Sequence, residues 1–259
     1  MSGVLILMYH QLFTESAVDR YSVPASEFER QMNELKSAGF RSLFPAHLDQ
    51  DDDAGRKVMI TFDDGYLSDF TLARPVLEKT GLNAVSFITT SYIGKPGYMT
   101  WEQVRELGRS GTFSVQSHTH THPFLEFLTE AQVRDELLRS KRLIESQCGC
   151  SVTALSFPGG SFSSGVARLA QDAGYRYLFS SMPGITRLPV AAGMACRRIR
   201  VGRKTGMEGF LRAADGKTSC YWLSAAGYAL RNGVKRLIGR RAYHFIWKAV
   251  KKRPAEVTR

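Results

Sequence analysis

The chain has 259 residues and 43% hydrophobic content, enough to bury a full core and in keeping with one large domain, the usual size of an α/β barrel, plus a short appendage. Its formal net charge of +11 is concentrated at one end, where ten Lys/Arg stand against Glu256 alone across residues 231–259, so that the rest is close to neutral. With no recognised nucleic-acid module beside the basic stretch, this distribution argues against a nucleic-acid partner. The four cysteines (Cys148, Cys150, Cys196, Cys220) show no paired zinc-ligand spacing. They read as reduced structural thiols, Cys148-Gly149-Cys150 being too tight for an ordinary disulfide or a zinc knuckle.

In chain order, residues 4–9 form an apolar run that is too short to cross a membrane and lacks a basic n-region or a cleavage site. It reads as a first strand, ending at Met8-Tyr9-His10. A helix is predicted over 26–38, with Ser26 as N-cap, Glu29 in capping-box spacing and Gly39 as its stop. The acidic run 49–53 before Gly55 marks an exposed loop. Strands follow at 58–62, 84–89, 113–116 and 155–157, and a second clear helix is predicted over 129–147, with Thr129 and Gln132 as its capping box and Gly149 beyond it. Such alternation implies a parallel sheet with crossover helices. Polar, titratable residues stand just after several of these strands (Asp63, His118, Pro158-Gly159), which fits a barrel with its site at the strands' C-terminal ends. A doubly wound open sheet is the alternative.

The second strand ends in Asp63-Asp64-Gly65. Adjacent carboxylates repel, and a bound cation resolves this by letting one ligate while the other stays free as a base. The plain alternative is an Asp pair capping the helix that ends near Lys79. Ligands for a cation come later, in Ser117-His118-Thr119-His120-Thr121-His122-Pro123. One helical turn would bring His118 and His122 to the same side and aim His120 elsewhere. Asp64, His118 and His122 then make two imidazoles and one carboxylate with open positions, a set suited to Lewis-acid hydrolysis. Non-haem iron oxygenases use the same set, so the ligands alone do not name the metal.

On these residues the chain resembles the polysaccharide deacetylases with a NodB-homology domain, carbohydrate esterase family 4, over about residues 1–210. Thr61-Phe62-Asp63-Asp64-Gly65 is similar to the family's first motif and His118-Thr119-His120-Thr121-His122 to its second. The resemblance implies a distorted (β/α) barrel of about seven strands, with Asp63 as base, Asp64, His118 and His122 as metal ligands, and zinc as the usual metal. It also implies an N-acetylated amino-sugar glycan as substrate.

The departures matter as much. Where the family's third motif has Arg-x-Pro-Tyr, this chain reads Ser156-Phe157-Pro158-Gly159-Gly160. The Gly159 N–H can still serve an oxyanion, since that donor needs no side chain. Arg198, in Arg197-Arg198-Ile199-Arg200-Val201, is the candidate to replace the motif's arginine beside the base; a basic strand facing solvent is the other reading. The family's late Leu-x-His motif is absent. Met8-Tyr9-His10 resembles the opening of the poly-N-acetylglucosamine deacetylase branch, whose motif order looks circularly permuted, so His10 is the candidate catalytic acid, against a buried, hydrogen-bonded structural histidine. Tyr66 and Trp101 are candidates for lining a sugar groove, or for core.

The expected division is a catalytic barrel over 1–218 and a basic amphipathic helical segment over 219–259. In that segment Val234, Ile238, Ala242, Phe245 and Ala249 share one helical stripe, giving either peripheral contact with an anionic membrane or a helix packed on the barrel. The functional expectation is metal-dependent hydrolysis of N-acetyl groups on a glycan or lipid-linked saccharide, at the cytoplasm or the cytoplasmic membrane face. Deformylation of a lipid-linked amino sugar and a non-catalytic glycan-binding role are the alternatives.

Overall fold

The computed structural model describes residues 3–15, 19–50, 55–160 and 162–216. The first half runs β1 (Gly3–Tyr9), the short strands β2 (Leu12–Phe13) and β3 (Val23–Pro24), α1 (Ala25–Ser37), β4 (Phe40–Ser42), β5 (Arg56–Asp64), α2 (Arg74–Thr80), β6 (Ala84–Ile88), α3 (Trp101–Arg109) and β7 (Phe113–Ser117). The second runs α4 (Glu130–Cys148), β8 (Ala154–Ser156), α5 (Ser164–Asp172), β9 (Tyr177–Phe179), β10 (Thr186–Arg187), β11 (Ala195–Cys196), β12 (Ile199–Arg200) and α6 (Gly206–Ala214).

β1, β5, β6, β7, β8 and β9 lie side by side in parallel. β11 pairs in parallel with β9 at the far end, and β12, just beyond it in the chain, pairs in parallel with β1 at the near end. One short stretch of chain therefore stitches the two margins together as a seventh stave, and the sheet is a nearly closed barrel. β10 adds an antiparallel pairing to β1, and β4 a parallel one to β5.

Alternate residues along each strand point to opposite faces, and they sort into two buried clusters. Met59, Val85, Phe87, Tyr177, Phe179 and Cys196 belong to one, with Val4 and Ile6 of β1. Val58, Ile60, Phe62, Ala84 and Ile88 join Phe28, Met32, Leu77, Val104 and Leu137 of the helices in the other. Burial on both faces is why these strands read as continuous apolar runs rather than as an alternation. Tyr9, Phe28 and Phe62 anchor the helical layer, with ring centroids 5.2 to 5.6 Å apart.

α4 opens as its sequence predicts, with Thr129 Oγ1 accepting from Gln132 N and Gln132 Oε1 accepting from Thr129 N, and it closes on the left-handed Gly149. α1 differs. Its N-cap position is Pro24, with no side-chain cap, and Ser26 lies inside the helix. The reason is non-local: β3 pairs with β2 up to Pro24, so the helix starts directly from the strand. The acidic run is also less free than expected, because Asp49 accepts from Tyr177 Oη at 2.6 Å and faces Arg176; residues 51–54 lie outside the described set. Cys148, Cys150 and Cys196 are free thiols. α6 is the last described helix, burying Phe210 and Ala213, and it packs on α1. The expected basic segment, 219–259, lies outside the described residues. No described helix is long and apolar enough to cross a membrane.

Candidate active site

β5 carries its two carboxylates to the C-terminal rim of the barrel, where the backbone reverses. Asp64 (φ 82°) and Gly65 (φ 84°) are both left-handed. A Cβ on Gly65 would sit 3.0 Å from Ile88 Cγ2, so the turn needs glycine for conformation and for space. The Asp pair does not cap the following helix: the helical turn at Asp69–Ala73 and α2 after it both start without a side-chain cap.

Asp63 is 3% exposed and Arg198 1%. They form a bidentate pair, Nη1 to Oδ1 and Nη2 to Oδ2, both at 2.8 Å. Arg198 also donates to Ser156 Oγ (2.8 Å), Thr61 Oγ1 (3.3 Å) and the Ser180 carbonyl (2.8 Å), and Ser156 Oγ donates on to Asp63 Oδ2 at 3.2 Å. Arg198 stands between β11 and β12, the two halves of the closing stave, and points inward, while Arg197 and Arg200 are exposed. The solvent-facing reading of this basic stretch therefore fails for Arg198. Burial by itself would raise the Asp63 pKa, but the Arg198 guanidinium, helped by His118 and His10, reverses this and holds the carboxyl well below the usual range.

The histidines converge without a helical turn. Residues 118–122 form a loop in which Thr119 (φ 68°) and His122 (φ 60°) are left-handed, and the expected i, i+4 helical geometry is absent. His118 Nε2 lies 3.6 Å and His122 Nε2 3.5 Å from the same oxygen, Asp64 Oδ1. The two rings meet edge to face at 4.9 Å, and one ligand atom from each of the three residues lies within 4.8 Å of the others. His118 Nδ1 is 2.7 Å from the Ser156 carbonyl. A carbonyl only accepts, so Nδ1 carries the proton and the Nε2 lone pair faces Asp64. Burial, chiefly, depresses the His118 pKa to about 4, which keeps the ring neutral. Asp64 Oδ1 is buried with no hydrogen-bond donor among the described residues. An orphaned carboxylate oxygen facing imidazole nitrogens is an arrangement that a divalent cation satisfies. His120 turns away, its Nδ1 2.7 Å from Thr90 Oγ1.

His10 directly follows β1, whose Tyr9 pairs with Phe62, so it stands at the level of Asp63 on the neighbouring strand. It is half-buried and stacks on Tyr21 at 5.0 Å. Its Nδ1 is buried without a hydrogen bond among the described residues, unlike the hydrogen-bonded structural histidine considered from the sequence. Gly159 sits at φ 65°, where a Cβ would fall 2.2 Å from Phe124 Cε1. A side chain there would be strained and would have to displace the Phe124 ring, and Gly159 packs against the segment that follows His122.

Tyr66 stacks on Tyr98 at 4.9 Å, Tyr98 meets Tyr92, and Tyr92 faces His122 at 6.2 Å. This aromatic wall beside Asp64 includes the expected Tyr66. Trp101 instead opens α3 and packs against the helical-layer core. Residue patterns do not single out Tyr92, Tyr98 or Glu136, and Thr61 stands inside a quoted motif without a role of its own. Ser156 stood inside a quoted motif without a role, and only the folded chain shows its hydroxyl joining Arg198 to Asp63.

Comparison with known proteins places this geometry. The family described as polysaccharide deacetylase matches residues 50–178. YxkH of Bacillus subtilis, assigned to the polysaccharide deacetylases, is 36% identical over 214 residues, spanning 79% of this chain and 72% of that protein. A poly-beta-1,6-N-acetyl-D-glucosamine N-deacetylase of Staphylococcus aureus is 26% identical over 180 residues, spanning 63% of this chain and 62% of that enzyme. Among solved structures, a polysaccharide deacetylase from Bacillus cereus superposes with a TM-score of 0.76 at 26% identity, over 82% of this chain and 69% of that one. IcaB from Ammonifex degensii shares the fold, with a TM-score of 0.71 at 23% identity, over 82% of this chain and 96% of that one. A nearly closed parallel barrel, an Asp-Asp rim and a two-histidine loop thus come together with a close relative matched along most of both chains, and the protein belongs to the polysaccharide deacetylase family.

Proposed function

We propose that this polysaccharide deacetylase removes N-acetyl groups from a glucosamine-containing glycan, with Asp63 as general base beside a zinc site formed by Asp64, His118 and His122. The observation that carries the reading is the buried, bidentate Asp63–Arg198 pair next to three converging ligand atoms. A carboxylate so held stays ionised at neutral pH and keeps one orientation, which is what a base needs to receive a proton from an attacking water. Asp64 Oδ1 and the Nε2 atoms of His118 and His122 would hold the metal; two nitrogens and one oxygen with an open position suit zinc. When bound, that cation supplies Lewis acidity to the acetamide carbonyl and to the water.

The remaining steps belong to the chain's own groups. Gly159 N–H is proposed as the oxyanion donor, a role that needs no side chain. His10, with a buried unpaired Nδ1, is proposed to protonate the departing amine, because an amide anion is too poor a leaving group. Products are acetate and a free amino sugar.

The name of the staphylococcal relative supports a β-1,6-linked N-acetylglucosamine polymer as substrate. A lipid-linked saccharide is the second candidate, favoured by the charge of residues 231–259, which we propose holds the enzyme to the cytoplasmic face of an anionic membrane. Mass spectrometry of acetylated, formylated and lipid-linked amino sugars after incubation with zinc-loaded protein tests the reading. Acetate release supports it, formate release alone replaces it with deformylation, and no turnover of any substrate overturns it.

A further inference from the structure

The loop that brings His118 and His122 together holds two non-glycine residues, Thr119 and His122, in the left-handed region. L-residues resist this conformation, and it persists only where surrounding contacts over-determine it. One restraint comes from α4. Glu136, 9% exposed, stands two turns into that helix and accepts from the backbone N–H groups of His120 (3.0 Å) and Thr121 (2.8 Å) on Oε2, and from Thr121 Oγ1 (2.6 Å) on Oε1. Two successive N–H groups aimed at one anion form a nest, and here the anion is supplied by the protein.

The other bonds come from neutral partners. Thr119 N donates to Ser117 Oγ and His122 N to Thr119 Oγ1, each at 3.2 Å, and Ser91 N donates to the His120 carbonyl at 2.9 Å. Glu136 brings a charge, so its hydrogen bonds are charge-assisted and correspondingly strong. The nest at His120 and Thr121 exists in the loop conformation that also aims the two Nε2 atoms at Asp64.

We infer that Glu136 is a positioning residue for the metal centre, clamping the 118–122 loop from behind so that the two imidazoles are preset before the cation arrives. The inference rests on the metal reading proposed above. Loss of the clamp leaves all three ligands in place and lets the loop relax out of its left-handed geometry, so the effect falls on affinity for the ion. Groups that support ligands in this indirect way change metal affinity by about 10- to 100-fold when removed.

The test is zinc affinity, measured by competition with a chromogenic chelator, for wild type, Glu136→Ala, Glu136→Gln and Thr121→Val, with thermal melts in excess chelator reporting on the fold. Glu136→Ala is expected to lose about 10- to 100-fold. Glu136→Gln should recover part of that loss, because its carbonyl oxygen still accepts from both N–H groups without the charge, and Thr121→Val, which forfeits one bond, should lose least. Wild-type protein that takes up no zinc overturns the metal reading and this inference with it. Wild type that binds zinc while Glu136→Ala and Glu136→Gln stay within about twofold of it overturns the role of Glu136 alone. If Glu136→Ala does not fold, Glu136→Gln decides by the same criterion.

Discussion

Replacing Arg198 with methionine tests the pairing on which the base depends. The side chain is 1% exposed and gives two 2.8 Å bonds to Asp63, with others to Ser156, Thr61 and the Ser180 carbonyl. Its removal strands a buried carboxylate with the Ser156 hydroxyl, at 3.2 Å, as its remaining hydrogen-bond donor among the described residues. Breaking one side of a buried ion pair costs about 3–5 kcal/mol, so Arg198→Met should lose that much stability at pH 7. The loss has a definite pH dependence. In the wild type the Asp63 pKa is depressed, so its contribution is complete above the unfolded carboxyl value of about 3.9 and is lost only as pH falls through the lower folded value. In the variant the largest influence opposing burial is gone and the Asp63 pKa rises, so the penalty is greatest at neutral pH and is relieved as acid protonates the group. Urea unfolding in excess chelator, at about pH 7 and about pH 4.5 on either side of that relief, should therefore show the gap between variant and wild type narrowing in acid. Adding Asp63→Asn to Arg198→Met should restore part of the stability at neutral pH, because both buried charges are then gone. A gap of equal size at both pH values, together with no recovery in the double variant, would refute the reasoning.

Asp64→Ala, His118→Ala and His122→Ala should each abolish metal retention through dialysis, whereas Asp63→Asn should retain metal and lose turnover by roughly 10² or more; normal metal content in the first three removes them as ligands. His10→Ala should turn over slowly on an acetamide and nearly normally on an activated acetyl ester, whose leaving group needs no proton, and equal losses on both substrates assign His10 a structural role. Gly159→Ala should be destabilised and impaired, because its Cβ would meet Phe124 at 2.2 Å with φ at 65°; wild-type melting and activity would show that the turn yields freely. Deleting residues 231–259 should release the protein from anionic liposomes and spare turnover of a small soluble acetylated sugar, and a truncated protein that still co-sediments counts against a membrane role for the tail.

The parallel strands and the α4 boundaries were legible in the sequence because their signals are local. Apolar runs flanked by helical periodicity mark strands buried on both faces, and Thr129 and Gln132 cap α4 through bonds that span three residues. The Asp-Asp-Gly rim and the histidine triplet are local too, as compact motifs whose chemistry shows in residue type and spacing. Other features depended on tertiary structure. The pairing of β2 with β3 set the start of α1 at Ala25 and placed Ser26 inside the helix. The two-residue strands β11 and β12 are too short to carry a periodic pattern, yet by pairing with opposite margins of the sheet they close the barrel and turn Arg198 inward onto an aspartate 135 residues away. Spacing suggested a helical turn at His118–His122; the fold made a left-handed loop instead, held by Glu136 from α4. Chain-local chemistry names the groups that can react, but which carboxylate is clamped, which histidine turns away and what holds the loop are decided by contacts that exist only once the barrel has closed.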